Sequence, residues 1–294
     1  MTRTAMHTLN NFISGADRAS KSWKWIMILW FSSLLLAWLV LLPAKSSFYA
    51  VIGPSMITEK LKNGIDIEAL FDPGTHLSAI IPSLGTGFLL VVFSGFILNI
   101  FFNGGLFSCL RNSMNKCTSL HFFGRAAASF WPFLVITIIM FLIMAVLALI
   151  IIGIPLIIAF GSDLEGILYK TFIISSVLFL IVLPVLLLVA DYARAWQAAS
   201  SGSTCLKAIG MGFRLTFRNL ASSYFIMACI MIVQILFTWL VFSVIAYMNP
   251  LSGSGLVLLF LLSQFSFIIR LFLRVWRYGS VTAMYEFHIN QLNT

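Results

Sequence analysis

Six long apolar segments constrain this chain more than any other feature of its sequence. They lie at roughly residues 25–43, 80–103, 131–158, 171–190, 224–248 and 255–275. About 20 apolar residues in a helix cross the hydrocarbon core of a bilayer, so each segment is long enough to span a membrane. Only 9% of the residues are charged, against about 25% in soluble domains, and 61% are hydrophobic. The sequence predicts an all-α integral membrane protein with six transmembrane helices.

The charged residues predict how these spans are oriented. With the N-terminus inside, fourteen of the 18 Lys and Arg lie in cytoplasmic segments and six of the nine Asp and Glu lie outside. Because cytoplasmic loops are enriched in Lys and Arg, both termini are expected in the cytoplasm, and the protein in a bacterial inner membrane. Residues 44–79 form the one sizeable extracytoplasmic loop. The other outer links are short, so the spans pair as three hairpins.

A predicted amphipathic helix precedes each hairpin on the cytoplasmic side, giving repeat-like units at residues 1–103, 104–190 and 191–294. The pattern is clearest before the fifth span, where five apolar residues recur at helical spacing: Leu206, Ile209, Phe213, Phe217 and Leu220. Three cations flank this stripe: Lys207, Arg214 and Arg218. Such a helix either lies among anionic lipid headgroups or packs on the bundle as an ordinary cytoplasmic helix.

The stretch LVADYARAWQAAS, residues 188–200, ends the fourth span with a group of polar side chains. Asp191 and Arg194 stand three residues apart and share a helical face. They form either a polar centre between helices, such as a gate or proton site, or a helix-end ion pair that fixes depth.

Three arginines of the sixth span share one face, at positions i, i+4 and i+7: Arg270, Arg274 and Arg277. Arg270 lies deepest in the membrane, where it must pair or reach the interface, and Asp191 is the nearest acid by depth. An Arg270–Asp191 ion pair is therefore one expected use of these arginines. The guanidinium fork also fits lipid phosphates, and the sequence favours neither use over the other.

Polar residues inside the spans have two interpretations. Asn99 and Asn103 continue a four-residue repeat that begins with Gly87, Val91 and Gly95. This stripe indicates close helix packing with interhelical hydrogen bonds, or a polar path for a solute. Gln264 is a single polar residue in the sixth span and is more typical of packing than of ligand binding.

Catalytic and cofactor motifs are absent from the sequence. No phosphate-binding loop, HExxH or GxSxG motif occurs, and the four His are dispersed, so we expect no enzyme activity, cofactor or metal. The positive charge is scattered over several loops, which does not favour nucleic-acid binding. The four cysteines are expected to be free thiols, because there is no CxxC pair and three fall on the cytoplasmic side: Cys109, Cys117, Cys205 and Cys229.

Three stretches carry a resemblance to known proteins: DYARAWQAASSGSTCLKAIGMGFRLTFRNL, RLFLRVWRYGSVTAMYE and FNGGLFSCLR. They resemble a broad group of uncharacterised bacterial six-span membrane proteins. The layout is also similar to the membrane region fused to some glycerophosphodiester phosphodiesterases. This sequence has no phosphodiesterase domain, so the resemblance implies a fold and not that activity.

Two functions fit these observations. The first is a non-enzymatic membrane component that engages anionic lipid headgroups or partner proteins through its cytoplasmic basic helices. The alternative is a small permease or channel-like transporter with a polar centre built from five residues: Asn99, Asn103, Asp191, Gln264 and Arg270.

Overall fold

A computed structural model describes residues 2–52, 80–111, 117–161, 165–200, 204–248 and 253–293. Within these ranges the chain is helical and contains no β-strand. In chain order the helices are α1 (Thr2–Lys21), α2 (Trp23–Ile52), α3 (Ile80–Arg111), α4 (Ser119–Ala148), α5 (Ile154–Phe160), α6 (Glu165–Ala199), α7 (Cys205–Arg218), α8 (Leu220–Tyr247) and α9 (Gly253–Asn293). A π-helical turn, Leu149–Gly153, joins α4 to α5.

Several of these helices are long and apolar enough to cross a membrane. Five such stretches occur in the described residues: Gly87–Arg111, Ser119–Phe160, Gly166–Ala199, Leu220–Tyr247 and Ser254–Ile289. A bent pair, Leu9–Lys21 with Trp23–Leu39, raises the number to six when it is counted as one span. The predicted all-helical fold is therefore confirmed for the described residues, with five or six helices long and apolar enough to span a membrane.

The helices extend beyond the predicted spans. α2 continues to Ile52, into the predicted outer loop, of which residues 53–79 lie outside the described part of the chain. α4 begins at Ser119, so the segment expected to form a separate amphipathic helix before the third span is continuous with that span. Hydropathy marks where a helix leaves the membrane, whereas the backbone hydrogen bonds continue for as long as the local sequence allows.

The chain divides into two compact units. The smaller is Ile28–Asn99, which holds most of α2 and the first part of α3. The larger combines Met1–Met27 with Ile100–Thr294, and all contacts described below lie within it. The predicted repeat-like division at residues 103 and 190 stays a prediction.

The core of the larger unit lies toward one end of its helices. Buried side chains concentrate in residues 100–110 of α3, 186–197 of α6 and 271–285 of α9. Large apolar side chains are mostly exposed in residues 167–181 of α6 and 256–261 of α9. An exposed apolar surface of this extent is expected where lipid, and not water, surrounds the helices.

Two glycines allow α1 and α9 to approach closely. A Cβ atom on Gly279 would lie 2.8 Å from the carbonyl oxygen of Gly15, and one on Gly15 would lie 2.6 Å from the backbone nitrogen of Ser280. Beside this contact, the indole Nε1 of Trp276 donates a hydrogen bond to the carbonyl of Phe12 at 2.9 Å. α1 therefore packs backbone to backbone against the buried part of α9.

Cys109 and Cys117 are joined by a disulfide bond, with their Cα atoms 5.6 Å apart. The expectation of free thiols is wrong for this pair, whereas Cys205 and Cys229 are free. Cys109 lies near the end of α3 and Cys117 just before α4. This Cα separation lies within the range that a disulfide needs, and a spacing without CxxC did not indicate the pair.

Candidate functional site

The most polar buried feature of the described chain is an ion-pair cluster formed by Asp191, Arg194 and Arg277. The side chain of Asp191 is 0% exposed, and those of Arg194 and Arg277 are 12% and 16% exposed. Nη1 of Arg194 lies 3.3 Å from Oδ1 of Asp191, and Nε of Arg277 lies 2.9 Å from its Oδ2. The two carboxylate oxygens thus face two different guanidinium groups.

Three helices position this cluster. α6 carries Asp191 and Arg194 three residues apart, so both side chains leave the same face of the helix. α4 adds Thr137, whose hydroxyl accepts a hydrogen bond from Nη2 of Arg194 at 3.2 Å. α9 adds Arg277, whose guanidinium also lies 5.0 Å from the ring centroid of Tyr278. The cluster therefore links α4, α6 and α9 at the end where the core is packed.

The partner of Asp191 on α9 is Arg277, so the expectation of an Arg270 pair is wrong. At about 1.5 Å per residue, Asp191 lies about 39 Å along α6 from Glu165, and Arg277 lies about 36 Å along α9 from Gly253. Arg270 lies only about 26 Å along α9 by the same measure, and it is exposed. Arg277 therefore pairs with Asp191 because the two residues lie at nearly the same height along their helices.

The cluster has an excess of positive charge. Two guanidinium groups face one carboxylate, and arginine remains protonated in proteins. Among the carboxylates whose side chains the structure describes, Asp17 pairs with Lys21 and Glu286 pairs with Arg18. Neither of them is part of the cluster, so Asp191, Arg194 and Arg277 together carry one net positive charge.

A second buried polar contact lies next to the cluster. Tyr192, fully buried on α6, shares a hydrogen bond of 2.7 Å with the hydroxyl of Ser223 on α8, and its hydroxyl also contacts the sulfur of Met284 on α9. Sequence reasoning did not single out these residues. The sequence feature that indicates such a contact is Tyr192, directly after Asp191, because the hydroxyl of a buried Tyr usually makes a hydrogen bond.

Sequence reasoning also missed a third contact, between α1 and α9. Nη2 of Arg18 lies 2.7 Å from Oε2 of Glu286, and Nη1 of Arg18 donates to the carbonyl of Leu110 at 3.1 Å. Arg18 is one of the fourteen Lys and Arg predicted to lie on the cytoplasmic side. Its pairing joins both ends of the chain to the end of α3.

The other predicted polar residues do not join the ion-pair cluster. Asn103 is buried, and its Oδ1 has no hydrogen-bond partner among the described residues. Asn99 is half-buried and belongs to the smaller unit, while Gln264 and Arg274 are half-buried on α9. Of the five residues proposed for a transport centre, only Asp191 lies in the cluster.

α7 lies against α6 beside the cluster. A Cβ atom on Gly212 would be 2.5 Å from the carbonyl oxygen of Val189, so the two helices touch at their backbones. On the opposite side of α7, Leu206 and Phe217 are 71% and 62% exposed. Three exposed cations accompany them: Lys207, Arg214 and Arg218.

The exposed surface of α7 has two adjoining sectors. At about 100° per residue, Leu206 and Phe217 lie about 20° apart on the helical wheel. The cations follow about 80–120° from Leu206. Ile209, expected in the same apolar stripe, is buried against the core instead. The unburied part of the stripe is therefore narrower than the sequence indicated and borders directly on the cations.

Comparison of the chain with protein-family models, with curated proteins and with solved structures gives no match. The resemblance to uncharacterised six-span proteins therefore stays a prediction. Among the described side chains no group of His, Cys, Asp and Glu is placed to hold a metal ion.

Proposed function

We propose that this chain is a non-enzymatic component of a bacterial inner membrane that engages anionic lipid headgroups through α7. Its spans form three hairpins, and both termini lie in the cytoplasm. The observation that carries this proposal is the outer surface of α7, where exposed Leu206 and Phe217 border on Lys207, Arg214 and Arg218. A helix of this type buries its apolar sector at the acyl boundary and directs its cations to phosphates.

The depth of α7 supports this placement. α7 contacts α6 at Val189 and Ala193, about 34–41 Å along the helix from Gly166 at about 1.5 Å per residue. A bilayer has a hydrocarbon core of about 30 Å and a total thickness of about 40–45 Å with its headgroups. If the span begins at the outer boundary of the core, this contact lies at the level of the inner headgroups.

Neutralising the cations of α7 is expected to remove most of the protein's preference for anionic lipid. Each Lys or Arg near an anionic surface contributes about 1 kcal/mol of attraction. The full-length chain in detergent is heated with added phosphatidylglycerol or phosphatidylcholine of identical acyl chains. Phosphatidylglycerol should raise the Tm of the wild type more, and the variant K207Q/R214Q/R218Q should lose most of this difference.

The matched control keeps the three positive charges and only exchanges the ammonium and guanidinium groups that carry them. K207R/R214K/R218K should retain the preference of the wild type for phosphatidylglycerol, and added salt should weaken it through screening. A triple Gln variant that prefers phosphatidylglycerol as strongly as the wild type does would exclude α7 as the contact.

The free cysteines give an independent test of the proposed topology. Cys109 and Cys117 form a disulfide and should be protected from alkylation, whereas Cys205, at the start of α7, is a free thiol. With α7 in the cytoplasm, Cys205 should react in intact cells with a membrane-permeant alkylating reagent and not with an impermeant one. Mass spectrometry of the labelled chain identifies the modified thiols. Labelling of Cys205 by the impermeant reagent would place α7 outside the cytoplasm and contradict the orientation.

A further inference from the structure

A groove of about 600 Å³ lies between α6, α8 and α9, beside the ion-pair cluster. Its wall on α8 is mostly apolar and also holds two polar side chains: Met231, Ile235, Trp239 and Phe242 are apolar, and Gln234 and Thr238 lie among them. Leu187 of α6 closes one side, and Arg277 of α9 lies at the end nearest the packed core. The groove therefore combines a long apolar wall with one cationic end.

The positive charge at the Arg277 end of the groove can attract an anionic ligand. Arg277 faces Asp191 through its Nε, at 2.9 Å, and 16% of its side chain is exposed. Asp191 is also paired with Arg194. The cluster's excess positive charge is costly in a membrane unless an anion approaches it. Arg277 is the residue of the cluster that lines the groove.

The depth of the groove can be compared with the thickness of a bilayer. Arg277 lies about 36 Å along α9 from its outer end, beyond a hydrocarbon core of about 30 Å and thus at headgroup depth. From Met231 to Phe242 the wall on α8 extends about 17 Å, close to half of that core. By the same measure Met231 lies about 24 Å and Phe242 about 8 Å along α8 from Tyr247, so the wall begins about 12 Å from the level of Arg277 and continues past the middle of the membrane.

We infer that this groove binds one anionic phospholipid of the inner leaflet. Its phosphate contacts the guanidinium of Arg277, and an acyl chain lies along Met231 and Ile235. The site is distinct from the surface of α7, because it takes a single lipid between helices and holds its chain as well as its headgroup. The excess charge of the cluster selects an anionic headgroup, and the apolar wall accepts an acyl chain.

The test compares lipid retention by the full-length protein and three variants. Thr238 lines the groove and is exposed, so Thr238→Trp fills the path of the acyl chain. Leu240→Trp adds the same ring on the opposite, exposed face of α8 and is the matched control. Arg277→Gln removes the excess charge but leaves Asp191 paired with Arg194. Native mass spectrometry in detergent measures bound phosphatidylglycerol and phosphatidylcholine.

We expect the wild type and Leu240→Trp to retain one phosphatidylglycerol in preference to phosphatidylcholine. Thr238→Trp should bind both lipids weakly. Arg277→Gln should lose about tenfold in affinity for phosphatidylglycerol alone, the loss of one charge-assisted hydrogen bond. Equal retention of both lipids by the wild type, or unchanged retention by Thr238→Trp, overturns the inference. If Arg277→Gln does not fold, the two Trp variants decide the question. The α7 triple Gln variant should still retain this lipid, so failure of either proposal is recognised separately.

Discussion

Replacing Asp191 with alanine is expected to lower the free energy of unfolding by about 3–5 kcal/mol, the range for removing one partner of a buried ion pair. The side chain of Asp191 is fully buried and faces both Arg194 and Arg277. Its loss leaves two guanidinium groups in the protein interior without a counter-charge. Asp191→Asn keeps the volume and should cost nearly as much. Reversible unfolding of the purified chain in mixed detergent and SDS micelles measures both.

Two comparisons separate this effect from a general sensitivity to substitution. Asp17→Ala removes an acid whose pair with Lys21 is exposed, and it should cost less than about 1 kcal/mol. In a double-mutant cycle, Asp191→Ala and Arg277→Gln should be strongly non-additive, because they remove the same contact. Asp191→Ala and Arg270→Gln should be additive. Additive losses for the Arg277 cycle would contradict the pairing.

The helical, membrane-spanning architecture could be predicted from the sequence because it depends on local composition. An apolar run of about 20 residues has few alternatives to a helix in a bilayer, since every backbone polar group must be paired within the segment. The Asp191–Arg194 contact was equally accessible, because a spacing of three residues places both side chains on one face of α6.

The assignment of the third member of the cluster needed information that hydropathy does not carry. Arg270, Arg274 and Arg277 share one face of α9, and the choice among them depends on how far each lies along the helix relative to Asp191. The apolar run suggested that α9 leaves the membrane near residue 275, yet the helix continues unbroken to Asn293. Measured from the helix start instead, Arg277 and Asp191 fall within about 3 Å of the same height.

Contacts between helices distant in sequence were the least predictable part of the site. Thr137, Ser223 and Met284 meet the cluster or its neighbour Tyr192 from three different helices. Helical periodicity identifies the face on which a residue lies, but not the helix that packs against it. The apolar stripe of α7 shows the same limit, because Ile209 belongs to it by spacing but is buried in the core.

The small residues after Tyr278 are a sequence signal for close packing of α9 against another helix. Gly279, Ser280 and Ala283 lie close together in a buried stretch of α9. Small residues at such spacing allow helix backbones to approach closely. The partner is Gly15 of α1, more than 260 residues away in the chain. This contact fixes α1 against α9, so a larger side chain at Gly15 should destabilise the protein.

Gly15→Ala is expected to destabilise the protein by about 1–3 kcal/mol, the usual cost of overpacking a close contact. The new Cβ would lie 2.6 Å from the backbone nitrogen of Ser280 and 2.7 Å from its Cα, so the helices themselves must separate. The hydrogen bond from Trp276 to the Phe12 carbonyl then lengthens or breaks. Amides of residues 9–21 should exchange with deuterium faster, which reports the release of α1 directly.

Gly210→Ala is the matched control, because no atom lies within 4 Å of a Cβ at that position of α7. Alanine has the higher helix propensity, so this variant should be neutral or more stable by up to about 1 kcal/mol. Gly279→Ala should resemble Gly15→Ala, and the two together should cost less than their sum, because either one alone already separates the same helices. Equal stabilities for Gly15→Ala and Gly210→Ala, with α1 amides protected in both, would mean that α1 does not pack on α9 in the membrane. Arg18 could then pair with Glu286 only as a mobile surface contact, and its substitution would leave the stability of the protein unchanged.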